Sequence, residues 1–171
     1  MKQPLFRLLT TLLMLGALAA CQPETQQATG PIAITRDTHC SLDGMTLADY
    51  PGPKAQIQYA QGDPDFFCDT VEMFAIYLQP EEQRVVTAIY VHDMDKNDWN
   101  NPGDEWIDAR QAYYVVGSKR LGSMGPTFVS FGTEAGAQAF VQQEGGKVLR
   151  FDEVKPDMAV LDGGVLKDRH M

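Results

Sequence analysis

Between residues 53 and 154 the apolar residues of this chain change their period in a fixed order, and they do so twice. PKAQIQYA (53–60) alternates apolar and polar residues as a half-buried strand does. DTVEMFAIYLQPEE (69–82) moves to helical spacing through Val71, Phe74, Ile76, Tyr77 and Leu78, and RVVTAIYVHD (84–93) is a β-branched strand. Asp69 or Thr70 is a candidate cap for that helix, Glu72 stands where a capping box needs it, and Pro80 ends it. A polar segment follows, MDKNDWNNPGDEWIDAR (94–110), punctuated by Pro102 and Gly103, with Trp99 and Trp106 expected to pin it to the core. The order then returns. QAYYVVGS (111–118) and PTFVSF (126–131) read as strands, TEAGAQAFVQQEGG (133–146) as a helix capped by Thr133 and ended by glycines, and KVLRFDEV (147–154) as a closing strand. No fixed-period array is visible, so the recurrence is one of pattern. It predicts an α+β fold of two similar ββαβ units packed as one domain, with approximate halves 35–105 and 106–158.

What precedes the domain sets the chemistry it meets. MKQPLFRLLTTLLMLGALAAC has a short basic start at Lys2 and Arg7, an apolar run from Leu8 to Leu18, and small residues before a cysteine. That is the layout of a secretory signal, and the run is too short for a spanning helix. Leu18, Ala19, Ala20 and Cys21 form a bacterial lipobox, so residues 1–20 are expected to be removed and Cys21 to carry the acyl chains. Several acyl chains hold a protein on a bilayer without any membrane span. Gln22, in place of Asp, fits the sorting pattern for the outer membrane, with the domain facing the periplasm. Residues 21–34 carry Pro and Gly with no apolar periodicity and read as a flexible tether, followed by a domain over 35–171. About 140 residues suffice for one real core.

Loss of Lys2 and Arg7 with the signal moves the formal charge from −9 to −11. So acidic a domain repels phosphate backbones, which argues against nucleic acid and for cations or basic partners. No nucleophile–histidine–acid spacing and no phosphate-cradling glycine motif is present, so an enzymatic role is not expected.

With Cys21 lipidated, Cys40 and Cys68 are the remaining thiols. In an oxidising compartment two cysteines default to a disulfide, and a chain stapled by Cys40 and Cys68, structural or redox in role, is the alternative reading. Their neighbours favour another. CSLDGM and CDTVEM each place Met five residues after Cys, and His39 precedes Cys40. Thiolate and thioether sulfurs are soft donors suited to Cu(I), whereas the paired cysteine and histidine spacings of zinc sites are absent. Met45 follows Gly44 in a loop; Met73 lies among core positions of the first helix and reads as packing. Cys68 lies at a helix N-terminus, where the dipole favours thiolate. A glycine-rich loop bearing Met124, GSMGPT, occupies in the second half the place that Met45 occupies in the first. Packing of the halves about a pseudo-twofold would bring the two thioethers to one surface.

The stretches HCSLDGMTLADYPGPKAQI, FFCDTVEMFAIYLQPE, YVHDMDKNDW, WIDARQAYYVVGS and GSMGPTFVSF, with the lipobox, resemble the NosL family of copper-binding accessory lipoproteins of nitrous oxide reductase biogenesis. The resemblance implies two ββαβ units and delivery of Cu(I) to nitrous oxide reductase in the periplasm, with an ABC-type membrane complex as docking partner. Many members carry CxxCGM in the first motif, where this chain has Asp43 in place of the second cysteine, so a further donor must come from elsewhere. On this basis Cys40, Met45 and Met124 are the expected Cu(I) ligands, with Cys68 next and His39 and His92 auxiliary.

Overall fold

The computed structural model describes residues 30–79 and 84–161. The signal, Cys21, the first part of the tether and Pro80 lie outside them. The first unit runs β1 (Ala55–Tyr59), β2 (Asp65–Phe67), α1 (Thr70–Tyr77), β3 (Val86–His92) and β4 (Trp106–Asp108). The second runs β5 (Tyr113–Val116), β6 (Leu121–Gly122), β7 (Gly125–Pro126), β8 (Val129–Phe131), α2 (Glu134–Glu144) and β9 (Lys147–Arg150). The sheets have the orders β2-β1-β3-β4 and β8-β5-β9, and all pairings are antiparallel. In both units the first strand is central, flanked by the next long-range strand on one side and by the strand after the helix on the other. The expected pair of ββαβ units is therefore present.

Several boundaries differ from the sequence reading, each for a local reason. The segment read as a polar loop contains β4, whose three residues pair with the end of β3, Tyr90 opposite Asp108 and His92 opposite Trp106. So short a strand carries no legible alternation. The strand expected over 126–131 is divided: Pro126 has no N–H for a ladder and closes the small β6–β7 hairpin, and only Val129–Phe131 joins the sheet. The last strand stops at Arg150, whose N–H donates to the Glu153 carboxylate at 2.6 Å and starts a 3-10 turn over Phe151–Glu153. Helix α1 ends at Tyr77, before Gln79, which precedes a proline and is disfavoured in helical ψ. Helix α2 follows the reading closely, with the Thr133 hydroxyl accepting from the Gly136 N–H and Gly145 at φ +77° closing it.

Strand β1 was expected to show a polar face to solvent, yet all five of its residues are buried. Residues 30–34, read as the end of the tether, cover that face. Gln56 exchanges two 2.9 Å hydrogen bonds with the Ile32 backbone, and Gln58 donates to the Gly30 carbonyl at 2.9 Å. The glutamines satisfy the backbone of an added segment, as buried amides must find partners.

One core crosses both units. Phe74 of α1 meets Tyr114 of β5 edge-on at 4.9 Å between centroids, Phe151 at 5.1 Å and Phe128 at 5.8 Å. Polar bonds stitch the seam where β3 ends against β8: the Met94 N–H donates to the Ser130 carbonyl, the Ser130 hydroxyl to the His92 carbonyl, and the Gly132 N–H to the Asp93 carboxylate. Trp99 stacks on Phe140 of α2 at 6.1 Å and does pin the polar segment.

Candidate metal centre

The loop HCSLDGM folds back on itself. The Cys40 N–H donates to the Met45 carbonyl at 2.8 Å, the Gly44 N–H returns to the Cys40 carbonyl at 2.9 Å, and His39 bridges Thr46. Gly44 makes the reversal at φ +78°, a conformation that costs a side-chain-bearing residue about 1 kcal/mol or more. Asp43 tightens the loop by accepting the Met45 N–H at 2.9 Å. Ser41 ties the loop to the edge strand β2 through two bonds with the Phe66 backbone. Pairing thus sets Cys40 and Met45 opposite each other, above β2.

Cys68 follows β2 and precedes the cap of α1. Asp69 caps the helix by accepting the Val71 N–H at 3.0 Å, and Glu72 completes the capping box by accepting the Asp69 N–H at 3.2 Å. The same Glu72 oxygen lies 3.2 Å from the Cys68 sulfur and 3.5 Å from the Cys40 sulfur. Donor atoms of Cys40, Asp43, Cys68 and Glu72 all fall within 4.8 Å of one another. Cys40 and Cys68 are buried and free, so the disulfide of the alternative reading is not formed.

The second unit reaches this place through the β6–β7 hairpin, whose two-residue turn is Ser123–Met124. The Ser123 hydroxyl donates to the Cys68 carbonyl at 2.6 Å, and the Thr127 hydroxyl donates to Asp69 at 2.6 Å. The Thr70 hydroxyl also donates to the Phe128 carbonyl. Held this way, Met124 packs with Met45, Phe66 and Ile34 around the buried Cys40, Leu47 and Cys68. Gly122 is required for the approach: a Cβ there would stand 2.2 Å from the Asp69 carboxylate.

Charge in the cluster follows from burial and close acceptors. Cys40 is lowered to about 6, chiefly because the Cys68 S–H donates to it, with help from nearby backbone N–H groups and against its own burial. Cys68 is pushed well above the ordinary thiol range, because that bond keeps its proton on Cys68 and because burial and the Glu72 charge oppose ionisation. The helix dipole favours a Cys68 thiolate, but the bond to Cys40 and burial outweigh it and keep the proton on Cys68, so Cys40 is the more acidic thiol. Burial raises Glu72 to about 7, with the Cys40 charge adding to it, and burial raises Asp69 to about 7. Beneath lies Lys54, fully buried, its ammonium donating to the Cys68 carbonyl at 3.1 Å and to the Pro51 carbonyl at 2.9 Å. Burial lowers it to about 8 while the surrounding acids resist the shift. A cation entering the cluster displaces protons and meets thiolate charge already present.

Of the expected ligands, Cys40, Met45, Met124 and Cys68 are brought together. The two histidines are not among the clustered donors. His39 points from the loop into solvent. His92 is buried in the seam, its ring 4.0 Å from Trp106 and its Nδ1 facing the Lys54 N–H at 3.4 Å, and burial lowers it to about 3. Met73 is core, as read. The sequence reading missed Glu72, Asp43, Lys54 and Ser123 as members of the site. For Glu72 a signal existed: the capping box fixes its carboxylate over the residue before the cap. Asp43, which in sequence stands out only for occupying the place of a cysteine, brings a carboxylate to the same place.

Fold and site together define a class, a small α+β domain of two ββαβ units that gathers soft sulfur donors and two carboxylates, buried Glu72 and exposed Asp43, where its halves meet. The chain belongs to the NosL family, whose model matches residues 31–159. It is 42% identical to the "Copper-binding lipoprotein NosL" of Stutzerimonas stutzeri over 157 residues, 90% of this chain and 80% of that protein. It is 39% identical to the protein of the same name from Achromobacter cycloclastes over 152 residues, 85% of this chain and 78% of that one. Among solved structures, the crystal structure of the copper chaperone NosL from Shewanella denitrificans matches with a TM-score of 0.72 at 39% identity, covering 75% of this chain and 97% of that chain.

Proposed function

We propose that this protein is a lipid-anchored Cu(I) chaperone that holds one soft cation between Cys40 and Cys68 with Met45 and Met124. The observation that carries the reading is the convergence of two free thiols from the first unit with a thioether from each unit in one cluster. Soft sulfurs hold Cu(I) against oxidation, while the small number of donors leaves a side open to an incoming ligand, so the ion passes on by exchange. Glu72 and Cys68 surrender protons as the ion enters and recover them as it leaves. Copper is cargo here, and no chemical transformation of a substrate is part of the role. Family membership supports Cu(I) delivery for nitrous oxide reductase assembly, with an ABC-type membrane complex as docking partner, from a Cys21 anchor in the outer membrane facing the periplasm.

Anaerobic titration of the tag-free protein, without its signal and with Cys21 replaced, against a chromophoric Cu(I) chelator tests this. Cys40→Ser and Cys68→Ser should each lower the affinity by a hundredfold or more, and Met124→Leu by about tenfold, since one sulfur donor is lost in each case. Wild-type affinity in all three variants would remove the proposed site.

A further inference from the structure

The chain carries 14 Lys and Arg against 23 Asp and Glu, yet three of its cations line one cleft. This cleft, of about 760 Å³, lies at the C-terminal end of α1, where Arg110, Arg150 and Lys155 face the same space as Tyr77, Leu78 and Phe151. Asp152 is the one acidic residue of the lining. Its backbone carbonyl accepts the Lys155 ammonium at 2.7 Å. Among the described residues none of the three cations forms an ion pair. Arg150 is held by stacking on the Tyr113 ring at 4.1 Å, and its Nη1 is buried without a hydrogen-bond partner among the described residues. Buried charged donors are as a rule paired, so this guanidinium has binding capacity unspent. Cations above an apolar floor suit an anion carried on an apolar body, and the planar fork of arginine suits phosphate oxygens in particular.

Position narrows the source of that anion. Gly30 lies beside Gln58, whose amide donates to its carbonyl, while Ile34 packs on the sulfur cluster. The chain therefore enters the domain at the end of β1 away from the cluster and runs toward it. The last turn of α1 lies at that far end too: Ile76 and Gln79 share a surface with Asp65 and Arg84, which meet at the Tyr59 hydroxyl. Tether entry and basic cleft thus share one end of the first unit. The cysteines stand at the other end of α1, a helix about 12 Å long. Cys21 precedes Gly30 by nine residues, a reach of at most about 30 Å, so the bilayer is never far from this end.

We infer that the cleft lined by Arg110, Arg150 and Lys155 binds the phosphate of an anionic phospholipid and seats the domain on the bilayer with the sulfur cluster turned away from it. The inference rests on the lipid anchor of the function proposed above. The acidic domain as a whole is repelled by an anionic surface, so only a local cluster of cations can hold it there. A short tether keeps the lipid face at millimolar effective concentration, and a weak headgroup contact then suffices. Seating of this kind presents Cys40 and Met124 to a recipient on the periplasmic side.

The test follows the amide spectrum of isotope-labelled protein, without its signal and with Cys21 replaced, as short-chain phosphatidylglycerol is added below its micelle concentration. Saturable shifts at Tyr77, Leu78, Arg110 and residues 150–155 are expected. Arg110→Gln and Lys155→Gln should each weaken binding about fivefold and leave Cu(I) affinity at the parent value. Phosphatidylcholine of the same chain length should give no shifts, and inorganic phosphate should bind at least tenfold more weakly than phosphatidylglycerol. Equal affinity for inorganic phosphate would assign the cleft to a free anion and overturn the lipid inference. Shifts of these amides by an oligoglutamate peptide, with none from phosphatidylglycerol, would assign it to an acidic protein segment and overturn it as well. No response to phosphatidylglycerol while the membrane-extracted full chain has the mass of an acylated Cys21 removes the cleft and leaves the anchor. An unacylated Cys21 overturns the anchor and the seating together, even where the headgroup binds.

Discussion

Glu72 shows how one side chain serves fold and site at once. Its carboxylate accepts the Asp69 N–H as a capping box requires, and the oxygen used for this is the one facing both cysteine sulfurs. Helix formation therefore places a carboxylate against two thiols, where its charge adds to the bond with Cys40 and to burial in keeping the proton on Cys68. His92 makes the opposite point. A histidine two residues before a methionine at a strand end resembles a ligand pair, but its ring is spent on packing against Trp106. Burial lowers it to about 3 from an ordinary value of 6.5. In the unfolded chain the imidazole takes a proton below 6.5, whereas the folded protein refuses it until about 3. Unfolding thus binds a proton through that window, and stability falls as pH falls from 6.5 toward 3. His92→Gln should lose less stability than the parent between pH 7 and about pH 4.5, by about 2.5 kcal/mol. Urea midpoints at the two pH values measure this, and an equal loss in both proteins would show that the buried imidazole is not held neutral.

At the scale of elements, the β6–β7 hairpin does most to assemble the site, and it was the least legible part of the sequence. GSMGPT reads as a glycine-rich loop with a methionine, which locates Met124 but not what holds it. The holding is tertiary: Ser123 on the Cys68 carbonyl and Thr127 on the Asp69 cap. The Asp69 cap itself was visible, since Asp followed three residues later by Glu before an apolar run is a helix start. That the cap would also receive a hydroxyl from the other half was not, because nothing local to residue 127 points 58 positions back. Gly122→Ala tests the hairpin as a unit. The added methyl would meet the Asp69 carboxylate and lie 2.9 Å from the Thr127 Cβ. The hairpin must retreat, and Cu(I) affinity should drop by about tenfold, as for loss of the Met124 donor. Far-UV circular dichroism should remain that of the parent; unchanged affinity would mean that Met124 is not held over the cysteines by this contact.

Over the whole molecule, the two units depend on one another because their apolar faces are spent on a common core. Phe74 belongs to the first unit and is enclosed largely by rings of the second. Removing it should be felt by both. Phe74→Ala is expected to destabilise the protein by about 3–5 kcal/mol. Unfolding should remain a single transition, with circular dichroism and tryptophan fluorescence coincident, and two separated transitions would show that the halves fold independently. The sulfur cluster sits where the units meet, so neither unit alone gathers Cys40, Met45, Cys68 and Met124.

The sequence by itself determined the elements with long, regular patterns, the repetition of their order, the helix caps and the residue types fit for a soft metal. Each of these depends on neighbours a few positions apart, within reach of periodicity and capping rules. Only the tertiary structure decided the burial of the β1 glutamines under residues 30–34, the strand hidden at Trp106, the exclusion of His39 and His92 from the sulfur cluster, and the inclusion of Glu72 and Asp43. Those depend on which surfaces meet across long stretches of chain, where a polar residue's partner is set by packing geometry and leaves no trace in its immediate sequence.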